Sequence, residues 1–414
     1  MKRNLLTGML LAATLVVQAQ GNNSGLGDEQ DNYASLAERV LNLEKKNDKF
    51  NVYFNYTAAA QTSDESGPWK SRIAAKELRF EITGHLTDRI SYRFRHRLNK
   101  SNAAMKADNF AKATDMMFVS YKLNDKVELT GGKVCQLWGG FEYDENPMFI
   151  YQYSDFGEYM DIFFGGAHVT YKPVPTQEFI FQVTHTDNGT MEDYYGCQPV
   201  AVDVNKRSLK LMEQSNHPFT YIFNWNGNFA DNMIQTRWSA GIQTQARGEY
   251  AKVVMLGNQL NLPRLQWYFD YMERWDDVDR YGFASEELDA LRTLEATNEN
   301  QPFNGIADNP GYFFTDFHLR SLVTKARYEL APKWKLMLKG MYEVAGLRHV
   351  ENFKNYRTSL GYFGSLEFYP VKSQDFRIYL AYLGRHYNYK KHLPLENRST
   401  NRIELGMMYR IKCF

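Results

Sequence analysis

The sequence predicts an all-β protein: a transmembrane antiparallel β-barrel of about 16 strands, with a short N-terminal periplasmic helix. Three observations predict this fold class. The chain begins with a secretory signal, carries many segments in which apolar and polar residues alternate, and joins those segments by connections that are short and long in turn. Alternation with a period of two is typical of a strand with one apolar face and one polar face.

The last strand, within residues 400–414, shows this alternation most clearly. Its apolar face is formed by Ile403, Leu405, Met407, Tyr409 and Ile411. In a membrane barrel such a face meets lipid, and the opposite face meets a water-filled lumen. Taken alone, this strand is equally compatible with the edge of a secreted β-sandwich, so the choice depends on the rest of the chain.

The first residues indicate secretion. Lys2 and Arg3 precede an apolar run from Leu5 to Val17, and small residues follow it. This is typical of a signal peptide, here residues 1–19, that is cleaved after export. No later run reaches the roughly 20 apolar residues of a transmembrane helix. A mature chain that spans a membrane must then be a closed barrel, since lipid offers no partner for open backbone groups.

Composition excludes several classes of function. The full chain has 49 basic and 48 acidic residues, and removal of the signal peptide leaves 47 against 48, so its charge gives no support to nucleic-acid binding. The cysteines at 135, 197 and 413 have no paired spacing, and the nine histidines form no metal motif. No nucleophile elbow or phosphate loop is present. We therefore expect no enzyme, no cofactor and no metal site.

A linker and a short helix precede the first strand, within residues 20–49. The helix is predicted over Ser35–Asn47, where Leu36, Val40 and Leu43 are spaced by four and three residues as in a coiled-coil seam. Such a helix could assist trimer formation in the periplasm. The alternative is a plug, or a helix that lies on the barrel rim.

Alternating segments recur from residue 50 to the end of the chain, which defines the predicted barrel as residues 50–414. The clearest segments are residues 50–58, 77–83, 89–98, 178–184, 219–226, 234–245, 265–271, 334–344, 356–368 and 376–382.

The lengths of the connections between these segments distinguish a barrel from a β-sandwich better than the segments themselves do. The short ones are residues 84–88, 124–126, 172–176, 227–232, 258–261, 331–332 and 370–375. The long ones are residues 61–72, 99–112, 136–160, 186–218, 276–310, 346–355 and 386–399. Outer-membrane barrels have tight periplasmic turns and long external loops, whereas a sandwich does not impose this alternation. One further external connection, near Arg247 and Gly248, is very short.

The third strand carries the sharpest functional feature. Arg89, Arg93, Arg95 and Arg97 have one parity, opposite the apolar residues, and Arg79 has the same parity on the neighbouring strand. If the apolar face meets lipid, these guanidinium groups face the lumen. Arginine stays charged and fits carboxylate and phosphate groups bidentately. A column of arginines along a pore wall predicts a path for anions.

Each set of basic residues also has an interpretation without a role in ion selectivity. Glu77 and Glu81 face the same side and could brace the arginine column, although two acids cannot neutralise five arginines. Lys335 and Lys339 form a second, smaller basic pair of lumenal parity. Their alternative is ordinary solvated charge without an effect on selectivity.

The third external loop, residues 136–160, is aromatic and acidic. Its acids are Glu142, Asp144, Glu145, Asp155 and Glu158. Folded into the barrel, the loop would narrow the pore and set carboxylates across from the arginine column. The alternative is an acidic surface loop outside the barrel.

A later loop, residues 276–310, contains a predicted helix capped at Ser285, with Leu288, Leu291 and Leu294 on one face. This helix either shields the barrel mouth or contributes to a ligand site.

Several short segments resemble a known family. They are LEKK at 43–46, FNVYF at 50–54, LRFEI at 78–82, SYRFRHRLNKSN at 91–102, GK at 132–133 and WGG at 138–140. They are similar to the Bacteroidetes branch of the phosphate-selective porin O and P family. The resemblance covers essentially the whole mature chain and is strongest over residues 50–161. The last strand also resembles the signal recognised by the barrel-assembly machinery.

The resemblance implies a trimeric, 16-stranded porin in the outer membrane of a Gram-negative bacterium, with an infolded third loop and an anion path. Arg93, Arg95 and Arg97 match that path best. The expected function is passive diffusion of small hydrophilic solutes, anionic or neutral, with a mild preference for anions such as phosphate. The expected partners are outer-membrane lipid, two further copies of the chain and the assembly machinery. The alternative is a plugged barrel that binds ligands at the cell surface and conducts little.

Overall fold

The computed structural model describes residues 49–65, 67–104, 109–160, 162–187, 190–191, 199–204, 206, 208–288, 312–371 and 375–413. The expected signal peptide and the helix expected at Ser35–Asn47 lie outside these residues. Within the described part, no helix combines the length and apolar character needed to cross a membrane.

The described residues form eighteen strands, of which sixteen make a closed antiparallel barrel. In chain order they are β1 (Asn51–Ser63), β2 (Lys70–Thr87), β3 (Ile90–Arg97), β4 (Thr114–Asn124), β5 (Val127–Cys135), β6 (Phe163–Val174), β7 (Gln177–His185), β8 (Val200–Asp203), β9 (Ser208–Leu211), β10 (Phe219–Phe229), β11 (Ile234–Ala246), β12 (Glu249–Leu262), β13 (Leu265–Val278), β14 (Tyr312–Ala331), β15 (Trp334–Leu347), β16 (Arg357–Phe368), β17 (Asp375–Tyr389) and β18 (Arg398–Lys412). Only β8 and β9 lie outside the ring; β7 pairs with β10, and β18 closes the ring on β1. The predicted fold class and the count of 16 strands are confirmed.

Each barrel strand separates an apolar outer face from a polar inner face. On β16, Leu360 and Tyr362 point outward and are 48% and 42% exposed, whereas Ser359 and Glu367 point inward and are at most 1% exposed. Lipid accepts the apolar side chains, and the polar side chains find partners inside the barrel.

Tight turns lie at one end of the barrel and longer connections at the other, as predicted. Several turns are shorter than expected because the strands continue further. Strand β2 runs to Thr87, and β12 runs to Leu262, so its turn lies at residues 263–264 and not at 258–261. The very short external connection is confirmed as Arg247–Gly248. Gly248 has a φ of 79°, which a residue with a side chain adopts with difficulty.

The short connection at Arg247–Gly248 leaves room for described parts of the fourth external connection to lie across it. The hairpin of β8 and β9 in that connection reaches β14, where Val200 pairs in parallel with Tyr312. The amide of Arg247 donates to the carbonyl of Glu213 (2.8 Å). The neighbouring external loop therefore covers the edge of the barrel at the short connection Arg247–Gly248.

In the described parts of the external connections lie the one-turn α-helices α1 (Phe141–Asp144), α2 (Asp155–Glu158) and α3 (Phe283–Glu287). Single 3₁₀ turns lie at Pro147–Phe149 and Glu351–Phe353.

Helix α3 corrects the prediction of a helix capped at Ser285. The helix begins at Phe283, and the carboxylate that accepts from its first amides belongs to Asp279, at 3.0 Å for Phe283 and 2.7 Å for Ala284. Asp279 was missed because it precedes the helix by four residues, beyond the usual cap position. Leu291 and Leu294 lie outside the described residues.

Candidate functional site

The third external connection, residues 136–162 and called L3 from here, lies inside the barrel. Its backbone is held by side chains of the inner wall: the amide of Leu137 donates to Gln182 on β7 (2.7 Å), and the amide of Gly139 donates to Ser239 on β11 (2.8 Å). At its far end, Arg402 on β18 donates to the carbonyl of Tyr151 (3.0 Å). L3 therefore follows the inner wall from β7 round to β18, as expected for an infolded loop.

Two wall carboxylates fix the one-turn helices of L3. Asp270 on β13 accepts the amides of Phe141 (3.0 Å) and Glu142 (2.8 Å) at the start of α1. Glu343 on β15 accepts the amides of residues 155 (2.7 Å) and 156 (3.0 Å) at the start of α2. Helices of one turn are unstable alone, and their first amides have no partner within the helix. The carboxylates of the inner wall thus accept the first amides of both helices and fix where each helix lies.

Replacing Asp270 by asparagine should loosen the first half of L3. The amide side chain offers one acceptor where the carboxylate offers two, so one charge-assisted bond, worth about 1.5–3 kcal/mol, is lost. Hydrogen exchange of the peptide that spans residues 139–146 should become faster, while exchange of the barrel strands stays unchanged. The matched control is Asp276→Asn on the same strand, because Asp276 pairs with Arg274 and holds no L3 amide. Equal acceleration in both variants would contradict a specific role of Asp270.

Four of the five predicted loop acids form ion pairs with the wall that L3 follows. The pairs are Glu142–Lys339, Asp144–Arg237 (3.1 Å), Glu145–Lys325, and Asp155 with both Arg357 (2.6 Å) and Arg385. These carboxylates brace the loop. The fifth acid, Glu158, is exposed and makes no ion pair with the described residues.

This pairing differs from the expected arrangement, in which the loop acids stood across from the arginine column. The anchoring carboxylate Asp270 lies on β13, which is eight strands from β3 in a ring of sixteen and therefore opposite to it. The loop acids turn toward that opposite wall because its lysines and arginines are the nearest cations. Lys339, expected to line the path, is instead an anchor of L3.

Aromatic packing completes the attachment of L3. The ring of Tyr151 lies 5.5 Å from that of Phe363 and 4.7 Å from that of Tyr379. The guanidinium of Arg377 lies 4.5 Å above the ring of Phe149. Close-packed interiors do not yield easily to displacement, so L3 is a fixed part of the inner wall.

The arginine column lies on β2 and β3, and β2 is two strands from the L3 anchor on β18. Four of the predicted arginines come together there. The contacts are Arg79–Glu77 (2.6 Å), Arg93–Glu81 (2.6 Å), Arg95–Asp115 (3.2 Å) and Arg97–Asp115 (2.8 Å). We call these four arginines, with Arg410 at 3.8 Å from Glu81, the arginine ladder.

Two predicted cations lie elsewhere. Arg89 is in the exposed turn between β2 and β3, so it does not continue the column. Sequence alternation suggested otherwise because it does not mark where a strand begins. Lys335 lies at the opposite wall near the short-turn end, with its ammonium 4.5 Å from the ring centre of Tyr369.

Asp115 is a site residue that sequence reasoning missed. A bulge between Arg95 and His96 lets β4 place Asp115 beside three arginines, Arg79 (3.5 Å) among them. A bulge shifts side-chain parity, so alternation alone hides such a residue. One signal was available: Asp115 is the only acid between residues 110 and 124.

The ladder retains an excess of positive charge among the described residues. Its five guanidinium groups face three described carboxylates, those of Glu77, Glu81 and Asp115. Four of the five acids of L3 that were expected across from the ladder are paired with L3 anchors instead. The geometry therefore gives a barrel in which an internal loop follows the wall from β7 to β18 and a net positive ladder lies on β2, β3 and β18.

A closed 16-stranded barrel with an apolar outer face and an inserted third loop defines an outer-membrane channel. The family model described as phosphate-selective porin O and P matches residues 50–411. The chain belongs to this family, and the family points to a channel in the outer membrane and not to an enzyme. Among curated proteins, none matches the chain.

Solved porins share the fold. The outer membrane channel DcaP of Acinetobacter baumannii is 10% identical, with a TM-score of 0.55 over 87% of this chain and 97% of its own. The anion-selective porin from Comamonas acidovorans is 8% identical, with a TM-score of 0.53 over 88% and 99%. The trimer form of OmpT from Vibrio cholerae is 10% identical, with a TM-score of 0.53 over 88% and 99%. At these identities the likeness concerns the fold alone.

Proposed function

We propose that the chain is a passive diffusion channel that favours small anions, and that the arginine ladder sets this preference. One observation carries the proposal: among the described residues, five ladder guanidiniums face three carboxylates, while four acids of L3 are paired with cations of β11 and β14 to β17. A solute that passes between L3 and the ladder therefore meets a net positive surface.

The position of the ladder arginines matters as well as their charge. Charges along a pore wall act on permeant ions at close range, where little water screens them. Guanidinium groups also offer several donors in a fixed plane, which suits carboxylate and phosphate oxygens. Each ladder arginine has a partner already, so a passing anion exchanges one contact for another and is not trapped. Phosphate and small organic carboxylates are the solutes that this chemistry favours.

The remaining features of the proposal follow from the sequence and the family. Residues 1–19 are removed as a signal peptide, residues 20–49 form a periplasmic segment, and the last strand is read by the barrel-assembly machinery. The protein is a homotrimer from a bacterium of the Bacteroidetes. The trimer is supported by OmpT, which shares the fold and is described in a trimer form. The origin in the Bacteroidetes is supported by residues 91–102, which resemble that branch of the family.

The test is electrical. The mature protein, purified in detergent, is inserted into a planar bilayer, and its reversal potential is measured across a tenfold gradient of KCl. We expect stepwise conductance and a reversal potential of the sign produced by chloride preference. Repetition with potassium phosphate and potassium acetate ranks the anions. A reversal potential near zero would leave an unselective porin, and absence of conductance from folded barrels would favour a plugged, surface-binding barrel.

A further inference from the structure

A group of polar side chains interrupts the apolar outer face of the wall formed by β12, β13 and β14. We call it the outer-face cluster, and its members are Lys252, Tyr271, Glu273, Trp275, His318 and Arg320. Neighbouring strands bring them together. Lys252 is registered opposite Trp275, Trp275 opposite His318, and Glu273 opposite Arg320.

The wall directly below the cluster is apolar and faces outward. Trp267, Phe269, Leu322 and Tyr342 are exposed by 47%, 42%, 37% and 48%. These side chains meet the acyl chains of the membrane, with tyrosines at the upper edge as in an interfacial belt. The cluster begins within two residues of that edge, toward the long external loops. It therefore lies at the level of the lipid headgroups in the outer leaflet.

Contacts inside the cluster engage its only carboxylate. Nε2 of His318 lies 2.7 Å from Oε1 of Glu273, and the hydroxyl of Tyr271 donates to the same carboxylate. The ring of Trp275 stacks on that of His318, with 5.8 Å between their centres. Glu273 is thus held in place by two neighbours on the surface of the wall.

Two cations of the cluster have no carboxylate partner among the described residues. Lys252 is exposed and forms no ion pair with the described residues. Arg320 donates one hydrogen bond to Oδ1 of Asn355 (3.1 Å), and no described acid lies within salt-bridge distance of it. The next carboxylates on these strands, those of Asp277 and Asp316, pair with Arg348 (3.7 and 3.1 Å). Cations at a lipid-facing surface are costly unless a counter-charge reaches them, and an anion from outside the chain can supply it.

We propose that the outer-face cluster binds the phosphate group of an anionic lipid in the outer leaflet. Arg320 presents a planar fork of donors that fits phosphate oxygens, and Lys252 adds a mobile ammonium two strands away. Trp275 and Tyr271 flank the position with rings that suit the boundary between headgroup and acyl chain. Basic residues near an anionic membrane surface are attracted to it, so both side chains favour an anionic headgroup at this level.

A second copy of the chain is the competing occupant of any outer face. The exposed apolar side chains on the same strands favour lipid, because Trp267, Phe269 and Leu322 continue the outer face beneath the cluster. By contrast, the outer rings of β1 to β3 pack on one another, with Phe54 5.2 Å from Phe80 and Phe80 6.5 Å from Phe94. The wall of β12 to β14 is therefore the one that we assign to lipid.

The test uses native mass spectrometry of the full mature protein in detergent, titrated with bisphosphorylated lipid A or with lipid A from which both phosphates have been removed. We expect the wild-type protein to retain the bisphosphorylated form preferentially. The variant Lys252→Gln with Arg320→Gln should weaken that retention about tenfold or more and leave the dephosphorylated form unaffected. The matched control, Lys206→Gln with Lys210→Gln, removes two exposed external lysines and should behave like wild type.

Two outcomes would overturn the proposal. One is equal retention of lipid A by the cluster variant and the control. The other is a change in the oligomer mass of the cluster variant with unchanged lipid retention, which would assign the cluster to a contact between subunits. Since the cluster lies outside the lumen, the reversal potential of the variant should equal that of the wild type. Failure here is therefore separable from failure of the proposed channel function.

Discussion

Replacing Arg93, Arg95 and Arg97 together by alanine is expected to convert the channel from anion preference to cation preference. The ladder has five guanidinium groups against three carboxylates. The triple variant leaves two guanidiniums, those of Arg79 and Arg410, against the same three acids. The local charge thus changes sign, and potassium becomes the favoured ion. The measurement is the reversal potential in a KCl gradient, which should reverse its sign.

The control for this variant keeps the charge and removes the guanidinium. With lysine at positions 93, 95 and 97, the ladder stays net positive, so the sign of the reversal potential should be that of the wild type. Phosphate should lose part of its advantage over chloride, because lysine does not offer a bidentate fork. If the alanine variant folds, conducts and keeps the wild-type reversal potential, the ladder does not determine the ion selectivity.

Replacing Asp155 by alanine is expected to free the second half of L3 and enlarge the conductance. The carboxylate of Asp155 contacts Arg357 (2.6 Å) and Arg385, and all three side chains are at most 5% exposed. Removal of one partner of a buried pair costs about 3–5 kcal/mol, and here the uncompensated charge is that of Arg385, because Arg357 keeps its contact with Glu287 (2.6 Å). The barrel strands remain paired, so the loss falls on the loop. Single-channel conductance should rise and its noise should increase.

A control for this variant lies in the same short helix. Glu158 is exposed and makes no ion pair with the described residues, so Glu158→Ala should change stability by no more than about 0.5 kcal/mol and leave the conductance as it is. A double variant, Asp155→Ala with Arg385→Ala, also removes one stranded cation and should be less destabilised than the sum of the single changes. Additive losses would show that the two side chains act separately.

The sequence was sufficient for the barrel because its signals are local. Alternation along each strand and the lengths of the connections between strands each depend on a few neighbouring residues. The loop anchors are different in kind: Glu142 pairs with Lys339 across 197 positions, and Asp155 pairs with Arg385 across 230. No local pattern distinguishes an acid that braces a loop from an acid that lines a path.

Small shifts of register account for the other differences. Arg89 has the parity of the ladder but precedes the first residue of β3, and Asp115 lies at a bulge that changes the parity of β4. Residues 93, 95 and 97 were placed correctly on one face because they lie within a regular strand. The parts of the site that depend on where strands begin, end or bulge needed the three-dimensional structure.

The closure of β1 on β18 constrains how the protein is built. The two strands are registered over eleven positions, from Tyr53 with Lys412 to Ser63 with Arg402. Both sheet edges stay open until β18 pairs with β1, and an open edge is tolerated neither in lipid nor, for long, in water. L3 is also anchored on β16 to β18, the strands that lead to this closure. Insertion, ring closure and seating of the internal loop should therefore form one late, cooperative event, with no stable half-barrel before it.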